Sequence, residues 1–330
     1  MTLARSLSGG AIVLAIALFA RAEEKYSLRF QYRDGEKSVY DMTVKLDVTT
    51  SAAQLSQRQE SSSSTQLRLS MDVVDRVQEG KKPSLGVTFR DLSVEQKLAG
   101  PAGDVSVTIS GRDVVVKRGE GTIVDTKKGE GLQLASGLLR EFGFLDTEGT
   151  VVLEPEGRIG AVTGSKEFEQ FLAAETGSSL FVLETPPGPV GVGETWAAPE
   201  RSVSRLRGLD LSANPVPVKT RFTLEGLEER PGGRLARIAV RSETAQKDLS
   251  ATASSDALGS QPVTITSFER TATGVVLFDI ARGELVESEL DVKLSVKMEM
   301  SFDSPQSPGG KEKVETSLAG TARVTTKLRG

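Results

Sequence analysis

Alternation of apolar and polar residues is the dominant pattern of this chain, and it is clearest over residues 286–302. Val286, Leu290, Val292, Leu294, Val296, Met298, Met300 and Phe302 occupy even positions, with Ser288 as the one interruption. Glu287, Glu289, Asp291, Lys293, Ser295, Lys297, Glu299 and Ser301 occupy the odd ones. A period of two predicts a β-strand with one buried and one solvated face, whereas a helix would spread these residues around its whole surface. At about 3.3 Å per residue such a strand reaches roughly 55 Å, long enough that it should bend around a core.

Shorter alternations predict strands over residues 26–32, 39–48, 66–77, 85–94, 105–109 and 113–117. Asp34-Gly35, residues 78–84 and Ser110-Gly111-Arg112 mark turns between them. The polar stretch 51–65, with its run Ser61–Ser64, reads as a hairpin tip or an irregular strand extension. Leu134, Leu138, Leu139 and Phe142 recur at helical spacing and predict a helix over about 133–142. A second helix is predicted over about 166–174, with Ser165 as N-cap and Phe168, Phe171 and Leu172 on one face. Between them, residues 150–153 and 158–162 read as a hairpin around Glu154-Pro155-Glu156-Gly157.

Residues 185–192 hold three prolines and two glycines, which predicts an irregular link. Beyond it, strands are expected over 219–227, 234–242, 263–270, 274–280, the long alternating stretch and 314–328. Residues 245–262 read as a polar loop and 304–310 as a turn. The hairpins at 150–159 and 274–285 resemble each other, which suggests a duplicated unit. The expected fold is therefore mainly β: antiparallel β meanders in two similar halves, forming open or half-barrel sheets, with two short inserted helices. The first half spans 23–184, the Pro/Gly link 185–192 and the second half 193–330.

The first 22 residues read as a secretory signal. Arg5 precedes an apolar run over 11–20, and Ala20-Arg21-Ala22 is a small-x-small site, so cleavage is expected between Ala22 and Glu23. The leader carries Arg5 and Arg21 and no acid, so its removal takes the formal charge from −4 to −6. An acidic chain argues against nucleic acid as a partner. No later stretch approaches the length of a membrane span, so no integral membrane segment is expected after cleavage. Expected localisation is periplasmic or extracellular.

Histidine and cysteine are both absent. That removes a Ser-His-Asp triad, histidine or thiolate metal ligands, a thiol nucleophile and disulfides. Carboxylate pairs such as Glu154/Glu156 and Glu228/Glu229 would remain for a hydrolase, but both sit in turn sequences where solvated acids are ordinary. Gly119-Glu120-Gly121 and Gly129-Glu130-Gly131 lack the spacing of a dinucleotide loop, and no cofactor is expected. Aromatic residues make up 5% of the chain, too few for a sugar-binding surface or for the girdles of an outer-membrane barrel.

Two stretches carry a resemblance: P-V-G-V-G-E-T-W over 189–196 and G-V-V-L-F-D-I-A-R-G-E-L-V-E-S over 274–288. They resemble an uncharacterised family of exported bacterial proteins, a domain of unknown function with V-G-[DE]-T-W and L-F-D-x-x-x-G-x-L-V-x-S motifs. The resemblance implies export and a β-rich fold, and it brings no catalytic residue. The expected function is that of a non-catalytic exported binding module for an apolar, lipid-like ligand or a protein partner. A structural envelope protein without a small-molecule site is the alternative, and a carboxylate-dependent hydrolase stands behind both. Candidate ligand contacts are Phe142, Phe168, Phe171 and Leu172 from the helices and Leu290, Val292, Leu294 and Val296 from the long strand.

The intact mass of protein recovered from the exported fraction should correspond to a chain beginning at Glu23, and a mass retaining residues 1–22 would refute cleavage at this site.

Overall fold

A computed structural model describes residues 24–54, 57–101, 103–140, 142–154, 156–173, 183–206, 209–255, 259–303 and 311–329. The leader with its Ala22–Glu23 junction and the 304–310 turn lie outside these residues. The first half contains β1 (Lys25–Tyr26), β2 (Lys37–Gln54), β3 (Gln57–Arg76), β4 (Ser84–Ala99), β5 (Val105–Ser110), β6 (Asp113–Arg118) and β7 (Gly121–Asp125). It continues through α1 (Leu132–Arg140), β8 (Glu148–Leu153), β9 (Ile159–Thr163) and α2 (Lys166–Ala173). Short strands open the second half: β10 (Val190–Gly191), β11 (Thr195–Ala197), β12 (Arg201–Val203), β13 (Arg205–Leu206) and β14 (Leu209–Asp210). Long ones complete it: β15 (Val216–Arg230), β16 (Gly233–Gln246), β17 (Leu249–Ser255), β18 (Gly259–Asp279), β19 (Glu284–Asp303) and β20 (Lys311–Leu328).

The fold is mainly β, and every ladder between named strands is antiparallel. The sheet runs β15–β16–β18–β19–β20–β2–β3–β4, then forks. One end of β4 pairs with β5 and the other with β8. In the second half β18 forks in the same way, onto β17 and β16. Among the described residues no ladder joins the β7 and β9 end to the β15 end, so the sheet is open. Its two ends nevertheless share one core, because Val151 and Phe168 lie in the same buried cluster as Trp196 and Phe222.

The alternation read from β19 holds. Leu290, Val292, Val296 and Met298 are buried, while Glu289, Asp291, Lys293 and Lys297 are exposed. Register carries this parity across the sheet, since residues directly opposite share a face. Trp196, Phe222, Val240, Gly274, Leu290, Val324, Val44, Leu67, Val94, Ile109 and Val114 are successive cross-strand partners. They form one transverse row on the inner face.

Ser288, the interruption in the β19 pattern, is buried opposite Thr326, and both hydroxyls lack a hydrogen-bond partner. A second, smaller cluster around Leu211, Val216, Ile265, Phe268 and Val296 occupies the far end of the same face.

Several expectations are corrected. Of the stretch expected as a loop, residues 245–246 end β16, Leu249–Ser255 form β17 and residues 259–262 begin β18, and the two strands expected over 263–270 and 274–280 fall on one continuous β18. Residues 51–54 and 57–65 extend the β2–β3 ladder in regular register, with Ser61–Ser64 facing Thr50 to Asp47. The alternation over 26–32 survives as burial, yet only Lys25–Tyr26 joins a ladder, with Val190–Gly191 of the link. Serine and threonine satisfy a ladder as well as valine does, while a covering segment alternates without pairing. In α1, Leu134 points outward and Ala135 inward. Ser165 does cap α2, accepting from the Phe168 N–H at 3.1 Å.

Gly274 sets a tight point in the transverse row. A Cβ built there would lie 2.1 Å from the Glu289 carbonyl oxygen and 2.6 Å from Leu290 Cδ2, whereas one at Gly320 would meet nothing closer than 3.4 Å. Gly274→Ala should therefore destabilise by about 1–3 kcal/mol through overpacking, with Gly320→Ala within about 0.5 kcal/mol of wild type. Urea melts of the two variants measure this, and equal losses would contradict the register.

Candidate functional site

Extended residues 27–33 cross the sheet where β2, β3 and the β18–β19 turn meet. Asp279 builds that turn: its Oδ1 accepts from the Ala281 and Arg282 N–H groups at 2.9 and 2.8 Å, and its carbonyl accepts from Gly283 N. Gly283 adopts φ 65°, and a Cβ there would lie 2.5 Å from Gln31 Cγ. Only glycine permits both the left-handed backbone and this approach. Gln31 N donates to the Gly283 carbonyl at 2.9 Å, and Phe30 meets Phe278 edge-on at 5.3 Å. The L-F-D-x-x-x-G stretch is thus the seat on which the crossing segment rests.

The V-G-E-T-W stretch is likewise structural. Glu194 accepts from Gly191 N at 2.9 Å and pairs with Lys25, fixing β1. Trp196 stacks on Phe222 and donates its Nε1–H to the Glu184 carbonyl at 2.8 Å.

Beneath the crossing segment lies a cavity of about 80 Å3. Its apolar wall comes from Met71, Val73, Leu85, Leu153, Leu183 and Leu285, and its aromatic rim from Phe30, Tyr32 and Tyr40. Glu36, Ser38, Asp75, Arg282 and Glu284 supply the polar side. On the scale where a single water needs about 10–15 Å3, this space holds several waters or the end of a small ligand. Burial raises both the Tyr32 and the Tyr40 pKa above the ordinary phenol value, so each keeps its proton through neutral pH. The Tyr32 hydroxyl is buried without a hydrogen-bond partner.

Arg282 Nε lies 2.8 Å from Glu284 Oε1, an ion pair that partners this oxygen. Glu36 bridges Arg33 and Arg282 at 3.3 and 3.7 Å. Asp75 Oδ2 accepts from Arg33 N at 2.9 Å. The Asp75 carboxyl is raised above the usual range by burial and then by Glu36, the Arg33 N–H opposing. Glu284 is raised by burial, with Glu36 and Asp279 adding and Arg282 opposing.

The candidate contacts named from sequence do not converge on this cavity. Phe168, Phe171 and Leu172 of α2, and Phe142 just beyond α1, belong to the main cluster. There Phe89, Phe144, Phe168 and Phe171 meet with ring centroids 4.5–5.8 Å apart, a filled aromatic centre. Leu290 belongs to the same cluster, Val296 and Leu294 to the second one, and Val292 is buried in β19. Three of the four carboxylates considered for hydrolysis are held by cations, Glu154 by Lys82 at 2.7 Å, Glu228 by Arg230 and Arg237, and Glu229 by Arg234, and the fourth, Glu156, is exposed. A broader open depression of about 510 Å3 over β2–β6 is lined by Val48, Ser63, Leu98, Val105 and Lys117, among others. It includes no buried unsatisfied polar atom, and the smaller cavity is the better-formed site.

The chain matches no protein-family model and no curated protein. Among solved structures it is similar to the P. putida toluene transporter TodX, at 7% identity over 90% of each chain with a TM-score of 0.17. It is also similar to the CymD monoaromatic hydrocarbon channel, at 11% identity over 90% of this chain and 89% of that one, TM-score 0.12. Likenesses of this size carry no argument about fold or function. No helix among the described residues is long and apolar enough to cross a membrane.

The raised carboxyls predict a pH dependence with a definite sign. A group whose folded pKa exceeds its unfolded value stabilises fully below the unfolded value, about 4 for these acids, and loses that contribution as pH rises through the folded value. In thermal melts stepped from pH 4 to pH 7, wild type should lose stability relative to Asp75→Asn/Glu284→Gln as the pH rises. A constant difference would show that the two carboxyls titrate normally.

Proposed function

We propose that this chain is a non-catalytic exported binding module whose ligand has an apolar part, taken into the cavity beneath residues 27–33. The observation that carries this reading is the union of apolar walls with a buried polar atom that has no hydrogen-bond partner, Tyr32 Oη. A buried polar atom left unpaired costs about 1–3 kcal/mol, a cost that a bound ligand can remove. Export rests on the leader sequence, with the periplasm or the extracellular space as the destination. The alternative of a structural or interaction protein without a small-molecule site is favoured by one feature, the filled aromatic centre under the helices.

Native mass spectrometry after gentle purification, together with a thermal-shift screen of alkyl alcohols, fatty acids and phospholipids, tests the proposal. A co-purified mass or a raised Tm is expected, since a ligand that binds only the folded state stabilises it by mass action. The decisive control is Leu285→Trp, which fills the cavity and should abolish the shift while the chain stays folded by circular dichroism. No mass and no shift with any compound would leave the structural reading in its place.

A further inference from the structure

We propose that the polar end of the ligand is a cation, a primary ammonium group carried on an apolar stem. This rests on reading the cavity as a ligand site and adds the chemistry of the head group. The lining holds three carboxylates, Glu36, Asp75 and Glu284, against one guanidinium, Arg282. That guanidinium is already shared between Glu36 and Glu284, and the second oxygen of Glu36 is taken by Arg33. Asp75 has no cation within salt-bridge distance among the described residues, and the hydrogen bond its carboxylate accepts comes from a backbone N–H. The cavity therefore carries net negative charge against an apolar wall, where weak screening strengthens every charge interaction.

Two further observations point the same way. The Tyr32 hydroxyl oxygen, buried without a hydrogen-bond partner, can accept a hydrogen bond, and an ammonium group brings three donors and no acceptor. Phe30 and Tyr32, stacked with centroids 6.0 Å apart, place aromatic rings at the rim, where a cation is attracted to a ring face. A carboxylate head group would instead add a like charge beside Asp75 and Glu36. Burial first, and Glu36 after it, makes Asp75 and Glu284 hold their protons to higher pH than ordinary acids, and a bound cation would oppose that shift.

Octylamine, octanol and octanoate share one chain length and differ in head group, so calorimetric titration of the full mature chain at pH 7 separates the ideas. Octylamine should bind at least about tenfold more tightly than octanol, and octanoate more weakly than either. Asp75→Asn keeps an oxygen to accept from Arg33 N, and it should abolish the preference for octylamine over octanol. Glu284→Gln gives a second, independent loss if the first variant fails to fold by circular dichroism. Equal binding of amine and alcohol would overturn the cation while leaving the cavity as an apolar ligand site. No binding by any of the three would overturn both.

Discussion

The transverse row from Trp196 to Val114 is the constraint on which the other features depend. It crosses the sheet from β11 to β6 and places side chains from both halves on one inner face. Its central joint is β20, which pairs with β19 along one edge and with β2 along the other. The last strand of the chain thus lies beside one of the first. These contacts are distant in sequence, and their loop-closure entropy must be met before the apolar row can repay it. A slip of one residue in either β20 ladder would turn the row to solvent on one side of the joint. Register is therefore fixed by burial over the whole sheet and not by any single turn.

The sequence made the row legible strand by strand but not as a row. Strict alternation in β19 identified its buried side because charged residues occupy nearly every other position. In β17 the alternating Leu249, Ala251 and Ala253 stand among serines and threonines, and the contrast in polarity is too small to separate a strand from a loop. The error over residues 26–32 has the opposite cause. Their strong alternation reports two environments, core and solvent, and a segment laid across a sheet meets the same two environments as a strand within it.

The site was harder to read, for a physical reason. Its residues come from five separated stretches: Phe30 to Tyr40, Met71 to Leu85, Leu153 to Gly157, Leu183, and Arg282 to Leu285. None is unusual alone, since Glu36, Asp75 and Glu284 read as ordinary surface acids until the fold half-buries them together. The helix aromatics were more conspicuous in the sequence, and their clustering is what an efficient core requires. The signals that did mark the site were Asp34-Gly35 and the D-x-x-x-G turn. There a left-handed glycine and a capping aspartate define a backbone shape, and side-chain polarity is secondary.

The way the cavity is covered also indicates how it would open. Residues 27–33 contribute no ladder, and their backbone is tied down at few places, chiefly Gln31 N to the Gly283 carbonyl and Arg33 N to the Asp75 carboxylate. The floor beneath them belongs to β2, β3 and β4, each with a neighbour on both sides. Lifting the cover would give up few backbone hydrogen bonds but would expose the fully buried Leu28 and part Phe30 from Phe278, so side-chain packing holds the cover where ladders hold the floor. Asp75 stands at that boundary, holding the cover through Arg33 N and facing the cavity with the rest of its carboxylate. A cation bound beneath it would favour the ionised carboxylate that accepts the Arg33 N–H, so filling the cavity and fastening its cover are one electrostatic event.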